Sequence, residues 1–175
     1  MTDRRHKDDW YPTPPYATEA LLSVEQFDEH VWECACGDGA ISKVLVDAGH
    51  VVSSTDLNDF GYGTPGIDYL METQLQADHI ISNPPYKLAN EFIKHSIELG
   101  VTKHCWLLRL AFLEGQKRFD DIFQHNPPAR VYVFSKRLTI WRGDEDQAWY
   151  GSSGKTAYAW FCFEQGATRT ELSWL

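Results

Sequence analysis

No apolar run in the chain approaches the ~18 residues that a membrane-crossing helix requires. The opening residues, MTDRRHKDDW, are too charged for a secretory signal. Membrane and export roles are therefore set aside, and the cytoplasm is the expected compartment. Metal-site spacing is missing as well. Cys34-x-Cys36 lacks the usual two-residue spacer, and Cys105 and Cys162 form no second pair in sequence. No metal is expected, and buried, reduced thiols are the favoured reading. Positive charge is scarce, with 16 Lys and Arg against 25 Asp and Glu and a net charge of −9. An extensive nucleic-acid interface carries a positive field, so the balance argues against one. A local basic patch stays open. Internal repeats and low-complexity tracts are absent.

The 175 residues fit one domain, residues 1–175, with a sizeable core. Residues 1–10 are expected to fray. YPTPP, Tyr11 to Pro15, is too proline-rich for a helix or a central strand. Thr18 to Gln26 reads as a short helix with Thr18 as N-cap. Strands then alternate with helices. HVWECA, HVVSSTD, DHIISN, KHCWLLRL, RVYVFS and YAWFCFE read as six strands. Ile41–Ala48, Lys87–Leu99 and Glu114–Gln124 read as helices, the first two closed by Gly49 and Gly100. This alternation predicts an α/β fold: a mainly parallel sheet with helices on both faces. The last two strands have no helix between them, which predicts an antiparallel last strand.

Ligands of such sheets sit at the carboxyl ends of strands. Unusual residues fall at those ends. ECACGDG, Glu33 to Gly39, runs from a strand through glycines into a helix. It has G-x-G without the third glycine of a dinucleotide fingerprint, and a tight strand-to-helix turn explains it equally well. Asp56 ends the next strand, where a carboxylate can accept ribose hydroxyls; a loop aspartate is the alternative.

The third strand ends in Asn83-Pro84-Pro85-Tyr86. Prolines have no N–H and a fixed φ, so they stop the ladder and stiffen the carbonyls. An amino group on an aromatic ring is planar and weakly nucleophilic. Two acceptors taking its hydrogens favour a pyramidal nitrogen, and the Asn83 side-chain oxygen and the Pro84 carbonyl fit that task. Tyr86 can stack on a planar substrate. Such catalysis works by orientation and electrostatics; a rigid strand-to-helix turn is the alternative reading.

The order YPTP, ECACGDG, TDL, IDYL, NPPY resembles the class I S-adenosylmethionine-dependent methyltransferases that act on amino groups. It is most similar to small phage and prophage DNA N6-adenine methyltransferases. The similarity covers nearly the whole chain and implies a Rossmann-like methyltransferase fold with S-adenosyl-L-methionine as cofactor. It implies that Tyr11, Thr13 and Pro14 fold over the methionine part and that Glu33, Cys34, Ala35, Gly37 and Gly39 form the loop beneath it. Asp56 then binds the ribose, with Leu57 beside the adenine, while Asp68 and Tyr69 meet the adenine edge. Asn83, Pro84, Pro85 and Tyr86 are the catalytic tetrad, and Asn83 also touches the cofactor. Cys34 stands where many relatives have proline. Methyl acceptors with related chemistry are amino groups of RNA bases and glutamine amides of proteins; a non-catalytic cofactor-binding phage protein is a further reading.

Larger DNA methyltransferases carry a separate recognition domain. Here the long connection Ser135 to Thr156 is the segment available to face substrate. It brings Arg137, Trp141 and Arg142, and Lys87 follows the tetrad, so these four are the candidate nucleic-acid contacts. The bland alternative is a surface hairpin whose aromatics finish the core.

Overall fold

The computed structural model describes residues 11–140 and 156–175. The expected fraying of residues 1–10, and the part of the long connection that holds Trp141 and Arg142, lie outside these residues. Helix α1 (Pro15–Val24) leads to strand β1 (His30–Glu33), α2 (Ala40–Asp47) and β2 (Val51–Asp56). A two-residue strand β3 (Thr64–Pro65), β4 (His79–Ser82), α3 (Ala89–Leu99) and β5 (Lys103–Arg109) follow. A short α4 (Gln116–Arg118), β6 (Arg130–Val133), β7 (Tyr158–Glu164) and β8 (Glu171–Trp174) complete the described chain.

The strands form one sheet in the order β3-β2-β1-β4-β5-β7-β6-β8. β7 pairs antiparallel with β5 and β6, and all other pairings are parallel. The antiparallel strand is the one expected, YAWFCFE. It is followed by β8, parallel to β6, which the sequence reading did not contain.

Alternate strand residues serve opposite faces. Val31, Ile81, Cys105, Leu107 and Trp160 pack with α1 and α2 through Leu21, Ile41 and Leu45. Trp32, Ile80, Trp106, Leu108 and Phe161 pack with α3 through Phe92 and Ile93. Helices thus cover both faces, which is why the strands are apolar throughout. Leu138 is buried on the first face and Ile140 packs beside it. The start of the long connection thus contributes aliphatic side chains to the core, while the aromatics of its blander reading lie outside the described residues.

Two helix expectations need correction. α1 begins at Pro15, since proline is tolerated where the N–H has no helical partner. Thr18 lies inside it, fully buried, and is not the N-cap. The helix expected over Glu114–Gln124 is α-helical only at Gln116–Arg118 and continues as a π turn, Phe119–Phe123. The wider turn buries Ile122 and leaves Phe119 about half exposed.

An ion cluster fastens the amino-terminal edge. Glu25 accepts from the Arg130 side chain, from Lys103 Nζ at 2.5 Å and from the Tyr132 hydroxyl at 2.8 Å. Burial raises the Glu25 pKa, but these hydrogen bonds outweigh it and hold the carboxyl below its ordinary range. Breaking one member of such a buried set costs about 3–5 kcal/mol. The sheet is thus pinned at one edge, leaving the carboxyl edge for chemistry. None of the described helices is long and apolar enough to cross a membrane.

Candidate active site

β1 lies between β2 and β4, and successive connections leave it in opposite directions. Such a switch point opens a crevice at the carboxyl ends. A cleft of about 850 Å³, counting its open mouth, lies there.

The loop after β1 forms one wall through Glu33, Cys34, Ala35 and Gly37. Glu33 is 1% exposed and its Oε2 accepts from Ser42 N at 2.8 Å and from the Ser42 hydroxyl. Burial pushes its carboxyl well above the ordinary range; the Ser42 bonds oppose this, and Asp38 and Asp56 add to it. The end of β2 supplies Asp56, whose Oδ2 accepts from Gly37 N at 2.9 Å and whose Oδ1 accepts from Asn58 N at 2.8 Å. Asp56 thereby ties the glycine turn to the next strand while facing the cleft. Leu57 is exposed at its rim. Asp68 lines the cleft and caps the following turn through Leu70 N.

Asp38 is a site residue that sequence reasoning passed over. It lines the cleft, and its Oδ1 is buried without a hydrogen-bond partner. Asp38, Asp56 and Asp68 make the wall acidic, which suits a ligand carrying positive charge. The G-D-G spacing held the signal, but only the glycines had been read.

The tetrad closes the cleft. Asn83 Nδ2 donates to the Tyr11 carbonyl at 3.0 Å and to Thr13 Oγ1 at 3.1 Å. A carbonyl can only accept, so the amide nitrogen must face Tyr11. Asn83 Oδ1 is consequently left buried with no partner. The Pro85 carbonyl accepts from Leu88 N at 2.8 Å, whereas the Pro84 carbonyl forms no hydrogen bond among the described residues. Both acceptors expected from the sequence are therefore unengaged. Tyr86 lies between Tyr11 and Tyr158, with ring centroids 5.8 and 5.9 Å away. Its hydroxyl is buried without a well-formed hydrogen bond, although Tyr158 and Asn83 are polar neighbours. Burial, reinforced by Tyr158, holds this phenol well above its ordinary range.

Several expectations change. Pro14 does not line the cleft; it precedes α1, while Tyr11, Pro12 and Thr13 form the cover. Gly39 does not line it either. Its φ is +79°, and a Cβ there would stand 2.4 Å from the Tyr62 ring. The second glycine of the turn admits a side chain of this protein, not a ligand. Tyr69 reaches the cleft only as its floor. It is 2% exposed, its hydroxyl is bonded to Ser96 at 2.6 Å, and its ring packs against Trp32 and Phe92. Its hydroxyl is therefore already engaged away from the cleft. Lys87 is exposed between Tyr86 and Leu88, which line the mouth. Arg137 is exposed after β6 and is not among the lining residues. Trp141 and Arg142 fall outside the described residues.

The sequence matches no protein-family model and no curated protein. The structure is similar to solved ones. A protein described as an RNA methyltransferase from Pyrococcus horikoshii is 12% identical, with a TM-score of 0.61 over 85% of this chain and 81% of that one. A modification subunit assigned to a type I restriction enzyme of Vibrio vulnificus is 10% identical, with a TM-score of 0.60 over 97% of this chain. The chain spans about half of that subunit, 47%. Magnesium protoporphyrin IX methyltransferase from Synechocystis, solved with bound S-adenosylmethionine, is 15% identical, with a TM-score of 0.57 over 86% of this chain and 79% of that one. At such identities the likeness is one of fold, and the fold is the Rossmann-like architecture of these methyltransferases.

Proposed function

We propose that the protein is an S-adenosylmethionine-dependent methyltransferase that acts on an exocyclic amino nitrogen, with adenine N6 in DNA as its substrate. The observation that carries this reading is the orientation of the Asn83 amide. Its donor end is held by Tyr11 and Thr13, and its acceptor end is left bare at the wall of the cleft. A buried acceptor without a partner is costly to keep. A substrate donor would satisfy it, and an amino group is a donor.

The cleft suits the cofactor. S-Adenosylmethionine bound there supplies an electrophilic methyl on a sulfonium sulfur that leaves as a neutral thioether. Asp38 Oδ1 is a bare acceptor for an ammonium, and Asp56 faces the cleft where ribose hydroxyls can reach it. In the step itself the substrate nitrogen forms its bond to the methyl carbon, and one nitrogen-bound proton leaves to water. Asn83 Oδ1 and the Pro84 carbonyl take the two amino hydrogens and draw the lone pair out of the ring. No general base is required, since the quaternised nitrogen is strongly acidic. Tyr86 offers its ring as a stacking surface, and Tyr11 shields the site.

RNA bases and glutamine amides present the same donor pair, so substrate class is decided by experiment. The protein is incubated with labelled S-adenosylmethionine and, separately, adenine-containing DNA, RNA and protein extract. Label is expected in DNA, on adenine N6. Label in RNA or protein alone moves the substrate to that class, and label in none overturns the catalytic reading.

A further inference from the structure

Arg109 ends β5, is exposed, and stands beside the tetrad. Strand pairing explains the placement. β5 pairs with β7 so that Arg109 stands opposite Tyr158, whose ring lies 5.9 Å from that of Tyr86. The guanidinium lies 5.1 Å from the centre of the Tyr86 ring. Among the described residues its side chain has no ion pair or hydrogen bond. Three other cations of the fold are held by partners. Arg118 donates to the Phe112 carbonyl at 2.7 Å and to Asn90, and Lys103 and Arg130 hold Glu25.

A positive group with no counter-ion among the described residues, set against Tyr86 just outside the lining of the cleft, can take an anion from outside. A contact between a cation and the partly buried Tyr86 ring is weaker than a guanidinium–phosphate pair, so it can yield to one. With the adenine amino group at Asn83, the sugar and its phosphates leave by the mouth, past Tyr86. We propose that Arg109 is a substrate-binding residue that takes one phosphate flanking the target nucleotide. It thereby favours a nucleotide over an uncharged acceptor such as a glutamine amide. This inference rests on the nucleic-acid reading above and adds the group that holds the backbone.

The test is a cycle between protein and substrate. Oligonucleotides with one adenine are made with a single neutral methylphosphonate at each phosphate near it, and binding is measured with S-adenosylhomocysteine present. One such replacement is expected to weaken wild-type binding on the order of tenfold. Arg109→Ala weakens binding of the normal oligonucleotide equally, and the two changes together cost no more than either alone. The salt slope of duplex binding falls by close to one unit in Arg109→Ala and is kept in Arg109→Lys. Additive penalties at every phosphate, or an unchanged slope in Arg109→Ala, overturn the role of Arg109 and leave the nucleic-acid reading standing. A wild-type protein that neither binds nor methylates any adenine oligonucleotide overturns both.

Discussion

Asn83 Nδ2 donates to Thr13 Oγ1 at 3.1 Å, so a residue seventy positions earlier sets which way the tetrad amide faces. Thr13 is 4% exposed and cannot exchange this bond for water. The N-terminal segment thereby orients the proposed catalytic amide as well as covering the cleft.

Thr13→Val removes the acceptor while keeping the shape. The amide then keeps only the Tyr11 carbonyl as anchor. A reduction in kcat on the order of tenfold is expected, because small errors of orientation are expensive in rate. Thr13→Ser should restore most of it. Steady-state kinetics with cofactor titration separates this from a loss of cofactor affinity, which is expected to move far less.

Asp56→Ala should weaken S-adenosylmethionine binding by roughly 1.5–3 kcal/mol, the worth of hydrogen bonds to a charged acceptor. The Gly37 and Asn58 N–H groups also lose their acceptor. The ligand-free variant should therefore melt earlier as well. Calorimetry of binding reads the first effect and thermal unfolding the second. Unchanged affinity would take Asp56 out of the ligand site.

Glu33 gives a pH signature. Its folded pKa is raised chiefly by burial, above the ~4.3 of a free glutamate. Between those two values the folded protein binds a proton that the unfolded chain has lost, so this residue's contribution to stability falls as pH rises. Glu33→Gln keeps an acceptor for Ser42 and removes the titration. The variant's stability relative to wild type should rise from pH 4 to pH 8 in denaturant unfolding of the ligand-free proteins. A relative loss toward pH 8 would mean that Glu33 is a stabilised carboxylate.

Gly39→Ala tests the reassigned glycine. A side chain at positive φ costs about 1–2 kcal/mol, and the Tyr62 ring must also move. A lowered melting temperature is expected, and the double variant Gly39→Ala with Tyr62→Ala should recover part of it. No recovery would mean that the ring is not the obstacle.

The parts of the site that depend on local chemistry were legible in the sequence. Asn-Pro-Pro-Tyr and Asp56 were read as strand ends that face a ligand, and both line the cleft at the ends of β4 and β2. Positions decided by distant chain were not legible. Gly39 looks like a ligand-approach glycine until Tyr62 is seen lying against it. Tyr69 follows a cleft aspartate, yet Ser96 and Trp32 draw it into the core. Arg109 has no motif of its own and gains its place through the pairing of β5 with β7, opposite Tyr158. β8 was missed because all four of its residues are exposed, so it leaves no alternating pattern. The π turn at Phe119–Phe123 reads in sequence as ordinary helix, because one inserted residue barely disturbs the apolar period.

The most direct measurement of the central claim pairs Asn83→Ala with the wild type. An adenine-containing duplex is incubated with each protein and deuterated-methyl S-adenosylmethionine, and its nucleosides are then analysed by mass spectrometry. On duplex DNA the wild type is predicted to yield N6-methyl-2′-deoxyadenosine with a deuterated methyl group. Asn83→Ala is predicted to bind the cofactor normally by calorimetry and to lose most of that product. Equal product from both proteins, or labelled product with the methyl group at an atom other than an exocyclic amino nitrogen, would contradict the account.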